Sequence, residues 1–199
     1  MKALFVHDHI FYTDNAHFYS DKLPYEIWKR YLKNFDELIV FGRAKHDIDK
    51  LKQVSLSSGK NVKFEVGQSL NSFKSLVFYR NREKKRLQKL IENSDILIAR
   101  NSMYGNMAIK IAEKLNKPYI LEIVSCPFNS LWNYGSLKGK IMAPISMYNL
   151  KSIASSSRYV HYVSQNFLQK SYPPFKNAIV EKISNVEIPL VDTKILDKR

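Results

Sequence analysis

Four short segments of the chain, LFV at 4–6, LIVF at 38–41, ILIA at 96–99 and YILEIV at 119–124, are apolar with almost no polar alternation. A strand with one wet face alternates apolar and polar residues, so strands without that alternation are buried on both faces. In a chain of this size that means a mainly parallel sheet with helices on both faces. Strands are expected at 3–7, 37–41, 62–66, 95–99, 119–124 and 159–163, and a last one fits 178–183. Helical spacing fills the gaps. Pro24 opens PYEIWKRYLKNF, which sets Ile27, Trp28, Tyr31 and Leu32 on one side. A second helix is expected at 81–93. A third, at 104–116, places Met107, Ile111 and Leu115 at i, i+4 and i+8 and closes at Asn116-Lys117-Pro118. A fourth spans 139–157, kinked or begun at Pro144. Alternating strands and helices define the α/β class. No internal repeat occurs. One domain is expected over 1–184; 185–199 carries no core pattern and reads as the start of an interdomain linker or a frayed tail.

Composition narrows the partners. The 199 residues include 32 Lys plus Arg against 18 Asp plus Glu, a net charge of +14. Cys126 is the one cysteine, so neither an intramolecular disulfide nor a cysteine-based zinc cluster is available. The opening MKALFVHDH has too short an apolar stretch for a signal peptide, and no run approaches the roughly 18 apolar residues of a membrane span. A soluble protein of a reducing, cytoplasmic compartment is expected. Its charge attracts polyanions: nucleic acid, an anionic membrane face, or phosphate-bearing small molecules. The densest basic cluster, RNREKKRLQK at 80–89, reads as the wet face of a helix whose Leu87, Leu90 and Ile91 point inward. No helix-turn-helix, zinc-finger or RNP pattern accompanies it, so no nucleic-acid partner is expected.

Parallel α/β sheets bind ligands beyond the carboxyl ends of their strands, where the strand order reverses. Three loops fall there: 7–22, with three His, two Tyr and two Phe; 100–105; and 125–135. Aromatics mixed with Asn, Ser, Arg and His suit a sugar, whose ring face is apolar and whose hydroxyls need fixed partners. The six glycines (Gly42, Gly59, Gly67, Gly105, Gly135 and Gly139) supply no pair after the first strand. That excludes the dinucleotide fingerprint and the P-loop. His7 and His9 with Asp14 or His17 do not make a defined metal set, since nothing fixes the third ligand. Cys126 lacks a thiolate-stabilising neighbour, and Ser102 lacks the G-x-S-x-G elbow.

The stretch PYILEIVSCPFNSLWNYGSLKGK at 118–140 resembles bacterial glycosyltransferases of the GT-B, family 4 type. These build capsular, exopolysaccharide or O-antigen chains. The likeness continues in YVHYVSQNFLQKSYP at 159–173, ISNVEI at 183–188, IARNS at 98–102 with Gly105, and Tyr19-Ser20. The resemblance implies a Rossmann-like domain forming one half of a GT-B fold, the N-terminal half that holds the acceptor. A second domain, absent from this sequence, would bind the nucleotide-sugar, so the isolated chain is expected to be inactive as a hexosyltransferase. It implies no bound metal or other cofactor, with the nucleotide-sugar as co-substrate. Two departures stand out. Asp21-Lys22 lies where many relatives have a glycine pair, and Phe128-Asn129 replaces a Trp-Asp, so residue 129 offers an amide and no base.

On this reading the acceptor-binding residues are His9, Tyr19, Ser20, Arg100, Asn101, Ser102, Asn129, Trp132 and Ser164, and His17 is the candidate at the reacting centre. Arg100 either meets a lipid-linked diphosphate or ties two loops by a salt bridge. Trp132 either stacks on a sugar or plugs the core. The expected partner is a glycan acceptor on a membrane lipid. LKGKIMAPISMYNL at 137–150 either dips into an anionic bilayer, as a peripheral protein on the inner face of the membrane would, or packs against protein. Two other readings stay open: a non-catalytic glycan- or partner-binding module, and a basic α/β protein that binds nucleotides or nucleic acid.

Overall fold

A computed structural model describes residues 1–70 and 72–184. In chain order the strands are β1 (Lys2–Thr13), β2 (Phe18–Ser20), β3 (Glu37–Lys45), β4 (Ser55–Leu56), β5 (Val62–Val66), β6 (Ile96–Arg100), β7 (Tyr119–Ile123), β8 (Tyr159–Tyr162) and β9 (Ile179–Lys182). The helices are α1 (Tyr25–Leu32), α2 (Ile48–Leu51), α3 (Phe73–Glu92), α4 (Met103–Lys114), α5 (Pro127–Trp132), α6 (Leu137–Ser156) and α7 (Phe167–Ser171). The expected strands and the α/β class are all present. The linker or tail expected at 185–199 lies outside the described residues.

The parallel sheet runs β5-β3-β1-β6-β7-β8-β9. From β1 the chain works outward to β3 and β5, then crosses back to β6 and continues the other way. The order therefore reverses between β1 and β6, and the carboxyl ends of these two strands are where sheets of this kind form a crevice that takes ligands.

Helices cover both faces unequally. On one face α1 seals the sheet: Trp28 is fully buried, meets the Phe5 ring edge-on at 5.1 Å, and donates its indole N–H to Ser57 at 3.0 Å. On the other face α3, α4, α6 and α7 supply Leu87, Ile91, Ala108, Ile109, Leu150, Ile153, Leu168 and Tyr172 to a larger cluster beneath Leu4, Val6, Leu97, Leu121 and Val160. Gly105 allows the closest approach. A Cβ there would lie 1.9 Å from the Arg100 carbonyl oxygen, so only glycine lets the first turn of α4 sit against the end of β6.

Three elements depart from expectation. The first loop is no open loop, because β1 continues to Thr13 and pairs antiparallel with β2, Tyr12 opposite Tyr19. Asp14 closes the turn by accepting the N–H groups of Ala16 and His17, and Asn15 takes a φ of 76° there. Helix α3 starts at residue 73, eight residues early, since Ser72 and Ser75 form a capping box. Its first turns leave Val77 and Phe78 exposed, so no inward stripe marks them in the sequence. Helix α6 runs through Pro144, giving up one hydrogen bond to the Lys140 carbonyl.

Candidate functional site

The crevice is shaped by a bulge in β1. Val6 pairs with Phe41 and Ile10 with Arg43, so His7-Asp8-His9 stands opposite the single residue Gly42. A Cβ on Gly42 would strike the Phe11 ring at 2.7 Å, which leaves the bulge its room. The three bulged residues do different things. Asp8 accepts, on its carbonyl, the Arg43 Nε and Nη2 at 3.0 and 2.6 Å. Its carboxylate accepts the backbone N–H of Met103 at 2.9 Å and of Tyr104 at 3.3 Å. The amino end of α4, which like any helix N-terminus suits an anion, is thus filled by the chain's own side chain. Burial raises the Asp8 pKa, opposed by Arg43 and those two N–H groups.

His7 and His9 stack with ring centroids 6.3 Å apart. Burial lowers His7 to about 3, helped by the nearby charge of Arg100, and its buried Nδ1 has no hydrogen-bond partner. Burial likewise lowers His9 to about 4, although Asp21 pulls the other way. Its Nε2 lies 2.7 Å from the Ser20 hydroxyl. That oxygen already accepts the N–H groups of Lys22 and Leu23, so the hydroxyl proton goes to His9. Both rings are neutral at pH 7.

Beside them, a row of charge crosses four neighbouring strands: Arg100 opposite Glu122, Glu122 opposite His161, His161 opposite Glu181. Arg100 Nε donates to Glu122 Oε2 at 2.7 Å, and the Tyr31 hydroxyl donates to Oε1 at 2.7 Å. His161 Nδ1 lies 3.8 Å from the same Oε1. The Arg100 guanidinium also sits over the Phe5 ring, 5.1 Å from its centroid. Burial works against the Glu122 charge, but His161, Arg100 and Tyr31 outweigh it and hold the carboxyl well below the usual range. His161 is raised, chiefly by Glu122. Of the two roles open to Arg100 from sequence, the structure shows the salt bridge.

The other candidates fall into two groups. Asn101 clamps the ends of β6 and β7, accepting from the Val124 N–H at 2.9 Å and donating to the Ser125 carbonyl at 3.1 Å. Ser102 caps α4 through the Gly105 N–H, and Ser164 accepts the Leu168 N–H in α7. With Ser20 and Arg100, these side chains hold the crevice in shape. The second group faces solvent. Tyr19 donates to Asp14 at 3.0 Å. Asn129 is exposed on α5. Trp132 is 46% exposed, not a core plug, and stacks on Phe128 at 5.3 Å with Lys140 Nζ 5.9 Å from its ring centroid. His17 lies apart, in a groove of about 450 Å³ lined by Phe18, Leu56, Ser58, Val62 and Phe64, which includes none of the other candidates. Among the described residues no three His, Cys, Asp or Glu side chains gather to hold a metal.

Asp8, Arg43, Tyr31, Glu122 and His161 were not singled out from sequence. Glu122 had a visible signal, a lone carboxylate inside YILEIV, which must find a partner once buried. The others had none, because their partners are distant in the chain.

The architecture matches solved structures of two plant proteins. A UGT transferase from Siraitia grosvenorii in complex with UDP superposes with a TM-score of 0.51 at 10% identity, covering 99% of this chain and 54% of that one. UGT89C1 of Arabidopsis thaliana, complexed with UDP, gives 0.50 at 9% identity, with 99% and 55% covered. The fold is accordingly one half of a GT-B fold, as the sequence resemblance implies. No protein-family model matches the chain. In sequence it is similar to Protein CapJ of Staphylococcus aureus, 34% identical over 174 residues, which are 87% of this chain and 44% of CapJ. The chain thus spans less than half of that relative and about half of the two structures.

Proposed function

We propose that this chain is the acceptor-binding half of a glycosyltransferase of surface-polysaccharide, capsular type, which moves a sugar from a nucleotide-sugar to a lipid-linked glycan. The observation that carries the acceptor assignment is Asp8 on the amino end of α4. A diphosphate would need those N–H groups, and a carboxylate already holds them. The donor is then left to a second domain, without which the chain transfers nothing. The similarity to CapJ supports the capsular setting.

Acceptor hydroxyls meet the solvent-facing Asn129, Trp132 and Tyr19 and the partly buried, neutral His9, while Ser20, Arg100, Asn101, Ser102 and Ser164 hold that rim in place. Trp132 offers a flat apolar face to a sugar ring, and the Asn129 amide both donates and accepts. His17, exposed beside its groove, is the candidate to reach the reacting hydroxyl when the second half closes over it. Basic groups of that second half would stabilise the leaving diphosphate, with no bound metal required. A lipid-linked acceptor and a cytoplasmic sugar nucleotide together place the work on the inner face of the membrane.

Titration of the chain with UDP and with surface-polysaccharide oligosaccharides, followed by Trp fluorescence and amide shifts, tests this. Oligosaccharides should perturb Trp132 and Asn129, and UDP should perturb nothing. UDP shifts at Met103 and Tyr104 would place the donor here and overturn the assignment.

A further inference from the structure

Helix α6 is apolar on two opposite sides. At about 100° per residue, Gly139, Ala143, Leu150, Ile153 and Ala154 fall on one side and are buried. Leu137, Ile141, Ile145 and Tyr148 fall on the other, within an arc of about 80°, and are exposed, Leu137 at 76% and Tyr148 at 74%. Burial against the sheet accounts for the first stripe and leaves the second uncovered among the described residues. Trp132 and Tyr134, the latter 82% exposed, extend it across the packed α5–α6 hairpin. Lys138 lies to one side of the stripe, Lys140 and Lys151 to the other.

The segment that carries this surface is basic. Between Glu122 and Glu181 the sequence holds no acidic residue and six basic ones: Lys138, Lys140, Lys151, Arg158, Lys170 and Lys176. At the far end of α6, Ser156 donates to Glu113 at 2.9 Å. Next to Tyr148, a surface groove of about 460 Å³ between α6 and α7 brings Lys151 and Lys170 together with Ser152 and Ser155. Two ammonium groups and the Ser152 hydroxyl suit a phosphate of a lipid headgroup, while the Ser155 hydroxyl donates to the Ser152 carbonyl at 2.9 Å.

We infer that the α5–α6 hairpin docks on an anionic lipid bilayer. Leu137, Ile141 and Ile145 enter the acyl boundary, Tyr134 and Tyr148 lie at headgroup level, and Lys140 and Lys151 meet lipid phosphates. Among the described residues no helix is long and apolar enough to cross a membrane, so the contact is interfacial. This deepens the proposed reading, which puts the acceptor on a lipid. Its test involves no glycosyl chemistry, so either can fail without the other.

The experiment is flotation of the whole chain with vesicles of phosphatidylcholine alone or with about one-third phosphatidylglycerol. Binding is expected to the anionic vesicles and to be weakened by salt. The Lys140→Ala, Lys151→Ala pair should lower partitioning about 30-fold, since each lysine near the surface contributes roughly 1 kcal/mol. Ile141→Glu with Ile145→Glu should abolish it, while Ile48→Glu, equally exposed on α2, should leave it unchanged. Circular dichroism checks each fold, and if the glutamate pair unfolds, the lysine pair decides. Failure to float, equal binding to neutral vesicles, or indifference to the lysine pair overturns the inference. So does a dimer in solution that Ile141→Glu dissociates, which would make a second copy the occupant.

Discussion

Arg100 and Glu122 stand side by side on neighbouring parallel strands, Nε to Oε2 2.7 Å, with both side chains almost wholly buried. A buried pair of this kind is costly to break and cheap to replace as a unit. Glu122→Ala should lower unfolding stability by about 3–5 kcal/mol, because it strands the guanidinium. Arg100→Met combined with Glu122→Leu should recover most of that loss. Urea unfolding of the single and the double variant measures the difference, and a double variant as unstable as the single would argue that the row of charge is indispensable to the fold.

Asp8 should behave as an internal substitute for an anion. Asp8→Ala is expected to cost about 1–2 kcal/mol, as loss of a helix-terminal carboxylate does. It should also make the chain responsive to sulfate or phosphate, which then occupy the N–H groups of Met103 and Tyr104. Thermal melts with and without sulfate report this as a larger rise in Tm for the variant than for the parent.

Acid should destabilise the chain earlier than its carboxylates alone would require. His7 and His9 have folded values near 3 and 4, below the ordinary 6.5. Between those values and 6.5 the unfolded chain binds more protons, so stability is full above pH 6.5 and lost as the pH falls. The slope is about 1.4 kcal/mol per pH unit for each proton. His161 acts with the opposite sign: its raised value stabilises the fold below pH 6.5, and that contribution disappears as pH rises through it. Urea midpoints between pH 4 and 7 should flatten in His7→Leu and His9→Gln and steepen in His161→Gln.

Gly105→Ala tests the contact between α4 and β6. With the Arg100 carbonyl 1.9 Å from the new Cβ, the helix must shift, at a cost of about 3 kcal/mol or more. Alanine at an ordinary helical glycine would instead stabilise by about 1 kcal/mol. The sign of the change in Tm separates the two.

Trp132→Ala should separate binding from stability. The ring is half exposed, so unfolding should move by less than about 0.5 kcal/mol. Acceptor oligosaccharide affinity, read by calorimetry, should fall at least 10-fold if the ring stacks on sugar.

The sequence by itself determined the elements and the class. Doubly buried strands such as LIVF and YILEIV admit few alternatives, and helical spacing within the intervening segments is a local property. Its likeness to GT-B enzymes at 118–140 and 159–173 named the half-fold that the architecture displays. Tertiary structure decided the rest, because the deciding contacts join residues far apart in the chain. Asp8 reaches Met103, Arg100 reaches Glu122 and Tyr31, and His9 meets Ser20 only once β1 has bulged and folded back on β2. No local pattern encodes such pairings. For that reason Arg100, Asn101, Ser102 and Ser20, polar residues in loops when read as sequence, hold the frame of the crevice, while Trp132, a large aromatic residue at the end of α5, is half exposed. Burial is a property of the packed chain, and it settled which of these groups spend their hydrogen bonds inside the fold.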